Sequence, residues 1–177
     1  VSEERLEVDF TACVCLEHYS DEDRRDLERD LELAARVQQH FYPVDAPSMR
    51  TVQIAGHAQP ARIVSGDYYD YFRFRGHMQG LAIGDVMGKG LPASLLMANL
   101  QASLRILGPE HDTLDALALR INGLFQHNLR LIRFISLVLV AIDEDAGELH
   151  YVNAGHNPPL LWSQSAGTIR RLAPTGP

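Results

Sequence analysis

Asp67 and Asp85 are the pair of side chains in this sequence best suited to chemistry, because the residues between them fold the two together. Tyr68, Tyr69, Tyr71, Phe72 and Phe74 favour a pleated strand, Gly76 supplies the freedom for a tight turn, and Leu81 to Val86 form a short apolar return strand. With Gly76 at the centre of an antiparallel hairpin, Asp67, nine residues before it, faces Asp85, nine residues after it. Directly opposed residues share a face of the sheet with Cβ atoms about 5 Å apart. Two carboxylates held so close raise each other's proton affinity unless a cation lies between them. A hard, oxygen-seeking divalent ion such as Mg²⁺ or Mn²⁺ suits that arrangement. The competing reading makes one Asp a turn cap and leaves the other solvated. Register decides, since a slip of one residue turns one Asp to the opposite face. Asp70, three positions from Asp67, is expected to point away from the pair.

Other residues invite chemical readings. The run Gly84-Asp85-Val86-Met87-Gly88-Lys89-Gly90 looks like a phosphate-cradling loop, but it has three residues where a P-loop has four and Gly90 where Ser or Thr would follow the Lys. Its glycines are better explained by a backbone that turns closely around an ion bound to a main-chain carbonyl. Cys13-x-Cys15-x-x-His18 puts two thiols on one strand face, yet zinc sites take four ligands at wider spacing, and burial in a short strand is the simpler account. Arg62 could receive a phosphate bidentately or sit on the surface. His156, beside Asn157, Pro158 and Pro159, could act as a general acid; a turn residue bonded to backbone is the favoured reading.

Three segments in order carry a resemblance to a known family: Gly66-Asp67-Tyr68-Tyr69-Asp70, then Ile83 to Met97, then Asn153-Ala154-Gly155-His156-Asn157-Pro158-Pro159. They resemble the metal-dependent PPM-type serine/threonine phosphatases, in the bacterial branch typified by SpoIIE and RsbU. The resemblance covers the chain from Leu33 to Pro177. It implies an α+β fold, a two-layered antiparallel β-sandwich flanked by helices. It also implies a centre of two Mn²⁺ or Mg²⁺ ions that activates water against phosphoserine or phosphothreonine without a side-chain nucleophile. Carried onto this sequence, Asp85 is a metal-bridging carboxylate, Asp67 a further ligand, and the backbone carbonyl of Val86 a ligand from the loop. Family members hold further metal-binding aspartates in a C-terminal part, one in a Thr-Asp-Gly segment and one in an acidic pair. The sequence in hand stops at Pro177, before either, so the expectation is that it lacks that part and supplies only some of the centre. The implied substrate is a phosphorylated anti-anti-sigma (STAS-type) protein in bacterial sigma-factor signalling and stress response.

The elements that must position these residues follow from patterning. A charged helix begins at Ser20 or Asp21, with acidic residues crowded into its opening turns, and ends before Pro43 and Pro47. Leu27, Leu31, Ala34, Gln38 and Phe41 repeat with four-three spacing, and Leu33 and Val37 widen the stripe. That pattern suits a dimeric coiled coil or a helix packed on its own domain. In the resembled family a linker helix here transmits signals from an upstream sensor. The expected organisation is therefore 1–20 as the tail of an upstream segment or sensor domain, 21–43 as linker helix, and 44–177 as a partial phosphatase domain. Within the last, Val52 to Gln59 reads as a strand and Pro60 as an edge or turn residue. A helix starts at Pro92 and closes at Gly108-Pro109. A second runs from Thr113 to Asn128 with Asp112 as its cap, and in the resembled family this pair can act as a regulatory switch. Phe134 to Asp143 and Glu148 to Ala154 form another hairpin, and short strands follow at Leu160 to Trp162 and Thr168 to Leu172 around Gly167.

At 177 residues and 46% hydrophobic the chain can bury a real core. Its net charge of -7 argues against nucleic acid or an anionic membrane as the main partner. Without a membrane-length apolar run or a signal peptide, and with two cysteines, a cytoplasmic protein is expected. Two rivals to the phosphatase reading are a non-catalytic, partner-binding regulatory module with an incomplete metal site and a nucleotide-binding switch.

Overall fold

Alternation of side chains along 67–86 builds the hairpin at the centre of the fold. In a computed structural model, which describes residues 20–59, 63–126 and 134–176, β1 (Asp67–Phe74) pairs antiparallel with β2 (Met78–Val86). The register places Asp67 opposite Asp85 and Phe74 opposite Met78, as the count about Gly76 predicts. Arg75 and Gly76 turn the chain at φ 22° and 63°, and the Met78 amide donates to the Arg75 carbonyl at 3.2 Å. β3 (Ile135–Asp143) joins β2, and β4 (Glu148–Ala154) joins β3, giving an antiparallel sheet in the order β1-β2-β3-β4. Cys13, Cys15, His18, Pro60 and Arg62 lie outside the described residues, as does the segment expected to belong upstream.

The two faces of the sheet differ. Tyr68, Phe72, Phe74, Ala82, Val86 and Leu139 are buried beneath α2 (Leu91–Leu107) and α3 (Leu114–Gln126). Met97, Leu100 and Leu104 of α2 and Leu117 of α3 complete that core with no exposed surface. Gly80 must be glycine, because a Cβ there would lie 2.6 Å from the ring of Phe72. α2 begins at Gly90 with Pro92 in its first turn and runs into a 3₁₀ turn at Gly108–Glu110. At α3 the Thr113 hydroxyl, rather than Asp112, caps the helix by accepting from the Ala116 amide at 3.4 Å. Asp112 instead pairs with Arg75 at 3.5 Å, so its carboxylate is drawn off the helix end by a cation.

The opposite face is open and crossed by residues 50–59. The segment 52–59, expected as a strand, forms no ladder. No described segment lies beside it to exchange backbone hydrogen bonds, and it is held by side chains instead. Gly56 lies so close to Tyr69 and Tyr71 that a Cβ would come within 2.5 Å of both. The Thr51 amide donates to Glu144 at 2.6 Å. β5 (Leu160–Ser163) and β6 (Thr168–Arg171) form a separate two-stranded sheet. The result is a mixed α and β fold on an antiparallel sheet, as expected.

α1 (Asp21–Gln39) carries a capping box between Ser20 and Asp23, whose hydrogen bonds hold the Asp23 carboxyl below its ordinary range. The four-three stripe divides its work. Gln38 is buried and exchanges two hydrogen bonds with Ser65, donating to the carbonyl at 2.7 Å and accepting from the amide at 3.0 Å. Phe41 packs against the core, and its carbonyl accepts from the Gln101 amide. Leu27, Leu33 and Val37 remain half exposed.

A buried ion pair ties α2 to β1. Asp70 points away from Asp67, as expected, into the helix-covered side. There it accepts from Arg105 Nε at 2.7 Å and Nη2 at 2.9 Å, and from the Tyr68 hydroxyl at 3.0 Å. Burial and then the Asp70 charge push the Tyr68 phenol far up. The Asp70 side chain is 0% exposed whereas that of Arg105 is 48% exposed, so the two truncations differ. Arg105→Ala strands a buried carboxylate and should cost about 3–5 kcal/mol. Asp70→Asn leaves a guanidinium able to turn to water and should cost about 1–3 kcal/mol. Urea unfolding gives the order, and the reverse order would refute this account of the pair.

Candidate metal centre

Each carboxylate of the facing pair is placed by its own short tether. Asp67 opens β1, where the Ser65 hydroxyl accepts from its amide at 3.1 Å and donates to its Oδ2 at 3.0 Å. The Tyr42 hydroxyl donates to the Asp67 carbonyl at 2.7 Å, and the Tyr42 ring stacks on Tyr69 with centroids 5.6 Å apart. Burial, and secondarily the charge of Asp67, push the Tyr42 phenol up to about 12. Asp85 lies next to the end of β2, just before the loop that leads into α2. Both carboxylates are exposed on the open face, and neither has a basic side chain within ion-pair distance among the described residues.

Val86 anchors the loop with a fully buried side chain and donates its amide to the Gly66 carbonyl at 3.3 Å. Its own carbonyl lies against the bare side of residue 66, where a Cβ would come within 2.8 Å of the oxygen. Beyond it the chain turns back through Gly88 and Gly90 at φ 117° and 70°, conformations that favour glycine. Ser65, Gly66, Asp67, Asp85, Gly88 and Lys89 line a cleft of about 260 Å³. It adjoins a cleft of about 620 Å³ over the open face, which also includes both aspartates. Two adjacent carboxylates make an all-oxygen donor pair, which fits a hard divalent cation and not a thiophilic one; the Val86 carbonyl, in a residue with no exposed surface, lies behind them against Gly66.

A different group of potential ligands lies at the other end of the sheet. His77, from the β1–β2 turn, and Asp143 and Asp145, from the β3–β4 turn, bring ligand atoms within 4.8 Å of one another. Those carboxylates are already engaged. Asp143 accepts from the Asp145 and Ala146 amides, both at 3.0 Å, which with His77 hold its carboxyl below the ordinary range. Asp145 pairs with Arg50.

Sequence reasoning passed over Ser136 and placed His156 only in part. Ser136 stands opposite Asp85 on β3, extending the row Asp67, Asp85, Ser136 across three strands. Its hydroxyl is 2.7 Å from His156 Nδ1. The backbone of His156 does form the expected turn, held by the side chain of Asn153. The imidazole, however, bonds to a side chain and not to backbone. The missing signal is the β2–β3 register, which no local turn specifies because two helices separate the strands.

A family model for stage II sporulation protein E (SpoIIE) matches residues 75–177, more than half of the chain. The chain belongs to the SpoIIE family. It is 29% identical over 154 residues to the phosphoserine phosphatase RsbU of Bacillus subtilis, covering 86% of this chain and 45% of that protein. The structure resembles the RsbU and RsbW domains of Rv1364c from Mycobacterium tuberculosis, with a TM-score of 0.57 and 28% identity over 68% of this chain and 34% of that one. It also shares a fold with the PP2C phosphatase domain of SpoIIE from Bacillus subtilis, with a TM-score of 0.52 and 21% identity over 64% of this chain and 34% of that one. These likenesses place the family member in the RsbU branch of the PPM-type fold. The chain spans less than half the length of the curated relatives it matches.

The Tyr42 contact gives a direct probe of Asp67. Asp67→Asn removes the charge but not the burial, so the Tyr42 phenol should fall below about 12 without reaching its ordinary 10.0. Ultraviolet difference titration against Tyr42→Phe reads the shift, and an unmoved titration would show that the Asp67 charge does not reach the ring.

Proposed function

We propose that this chain forms part of a metal-dependent protein phosphatase that hydrolyses phosphoserine or phosphothreonine on a regulatory protein. The observation that carries this reading is the facing of Asp67 and Asp85 on the open face, at the junction of two clefts. Asp67 and Asp85 would hold Mn²⁺ or Mg²⁺, with the Val86 carbonyl as a further ligand on the motif resemblance. The ions supply a lowered water pKa and offset phosphoryl charge. Gly66 leaves room beside the Val86 carbonyl, Ser65 orients the Asp67 carboxylate, and Lys89 adds a cation to the same cleft. No side chain of the chain needs to become a covalent intermediate. The name of the RsbU relative, a phosphoserine phosphatase, supports the substrate class. A STAS-type phosphoprotein is the proposed substrate, on the motif resemblance.

The half-exposed Leu27, Leu33 and Val37 support a second part of the reading, in which α1 links an upstream sensor to this domain and pairs with a second copy. No helix among the described residues is long and apolar enough to cross a membrane, which accords with a cytoplasmic setting.

In the full-length protein, Asp85→Asn should abolish Mn²⁺-dependent release of phosphate from a phosphoserine peptide, and unchanged release would reject the assignment. Gly66→Ala, whose methyl would crowd the Val86 carbonyl and shift the loop that carries it, should weaken Mn²⁺ binding about 10-fold by calorimetry, the size of effect that disturbed surroundings of metal ligands produce. For the helix, sedimentation of the full-length protein should show a dimer that Leu27→Glu with Leu33→Glu converts to monomer; a wild-type monomer would sink that part.

A further inference from the structure

We propose that His156 donates the proton to the seryl or threonyl oxygen that leaves phosphorus, with Ser136 and Asn153 as its positioning residues; this rests on the phosphatase reading. Three observations carry it. First, Ser136 is the direct neighbour of Asp85 across the β2–β3 ladder, so His156, 2.7 Å from its hydroxyl through Nδ1, is placed one strand beyond the carboxylate pair. Second, His156 lines the same cleft of about 620 Å³ as Asp67 and Asp85. With Nδ1 engaged by Ser136, Nε2 is the nitrogen left to meet a substrate. Third, the ring is carried on a stiff turn. Asn153 is 0% exposed, and its side chain accepts from the His156 amide at 2.9 Å and donates to the His156 carbonyl at 3.1 Å. The Asn153 amide is itself held by the Thr175 hydroxyl at 2.9 Å, and Gly155 supplies the reversal at φ 68°.

The chemistry calls for such a group. A seryl alkoxide is a poor leaving group, and it departs from phosphorus in line with, and opposite to, the incoming water. The cations would sit at the Asp67–Asp85 end of the row, and the donor stands at the other. In the step, the oxygen of water bonds to phosphorus while the phosphorus–oxygen bond to the seryl side chain breaks. The electron pair stays on the seryl oxygen, which takes the Nε2 proton of the imidazolium while Nδ1–H donates to Ser136. The proton lost by water passes to solvent, and solvent reprotonates His156, leaving inorganic phosphate and a free hydroxyl.

The test compares leaving groups in the full-length protein with Mn²⁺. His156→Ala should lower kcat on a phosphoserine peptide by roughly 100-fold or more, the usual range for a lost general acid. On para-nitrophenyl phosphate, whose leaving group needs no proton, the loss should be far smaller, which also shows that the variant is folded. His156→Gln should repeat the pattern, Ser136→Ala should show it more weakly, and Mn²⁺ affinity by calorimetry should not change. Equal losses on the two substrates, or none on the peptide, would overturn the assignment. Loss of all turnover in Ser136→Ala would overturn it in favour of a serine nucleophile. A wild-type protein inert on both substrates would instead remove the phosphatase reading itself, and this proposal with it.

Discussion

The register of the β1–β2 hairpin is the constraint on which the rest of this structure depends. Side chains on a strand alternate with a period of two, so one choice of turn decides every residue's side at once. With Arg75 and Gly76 at the turn, Asp67 and Asp85 share the open face, while Tyr68, Asp70 and Phe72 go under the helices. A slip of one residue on β1 would bury Asp67 against apolar helix residues and strip Asp70 of Arg105. The bidentate Asp70–Arg105 pair therefore does more than hold α2 down; it penalises the one-residue slip of β1 that would turn Asp70 to the open face.

Both carboxylates are also one step removed from a helix. Gln38 of α1 grips the backbone of Ser65, and the Ser65 hydroxyl grips Asp67. On the other strand, Asp85 is followed by Val86, a four-residue loop with two glycines, and then α2. A shift of α1 bears on Asp67, and a shift of α2 bears on Asp85 and the Val86 carbonyl. Because Gln38 and Phe41 are used inside the domain, only the outer part of the α1 stripe is left for a partner.

How much of this could be read from the sequence depended on the range of the interaction. The β1–β2 hairpin and the facing of Asp67 with Asp85 were legible because a local turn fixes them. The inward direction of Asp70 followed from strand parity, although its partner Arg105 did not, since nothing local sets how α2 lies on the sheet. Val52 to Gln59 has strand-like composition but no neighbouring strand among the described residues, and a ladder needs two. At the start of α3 two residues could cap, and the pull of Arg75 on Asp112 left the role to Thr113. His156 was legible as a turn residue, because Asn153 is three positions away. Its bond to Ser136 depended on a β2–β3 register established across two helices.

Asp67 and Asp70, three residues apart in one strand, show what separates a structural carboxylate from a reactive one. Asp70 is fully buried and its charge is answered by a guanidinium, a phenol and the Tyr71 amide, which donates at 2.8 Å. Such a group is complete, and its chemistry is spent on holding the fold. Asp67 has one hydroxyl on one oxygen, a second carboxylate for a neighbour and open space beyond. Two carboxylates side by side add nothing to strand pairing, so the hairpin rests on the aromatic and apolar residues of its other face. A hard cation between them would meet oxygen donors from both strands. Among the described residues no cation answers the two charges on the open face, and Ser136 and His156, bonded to each other, continue the row across β3.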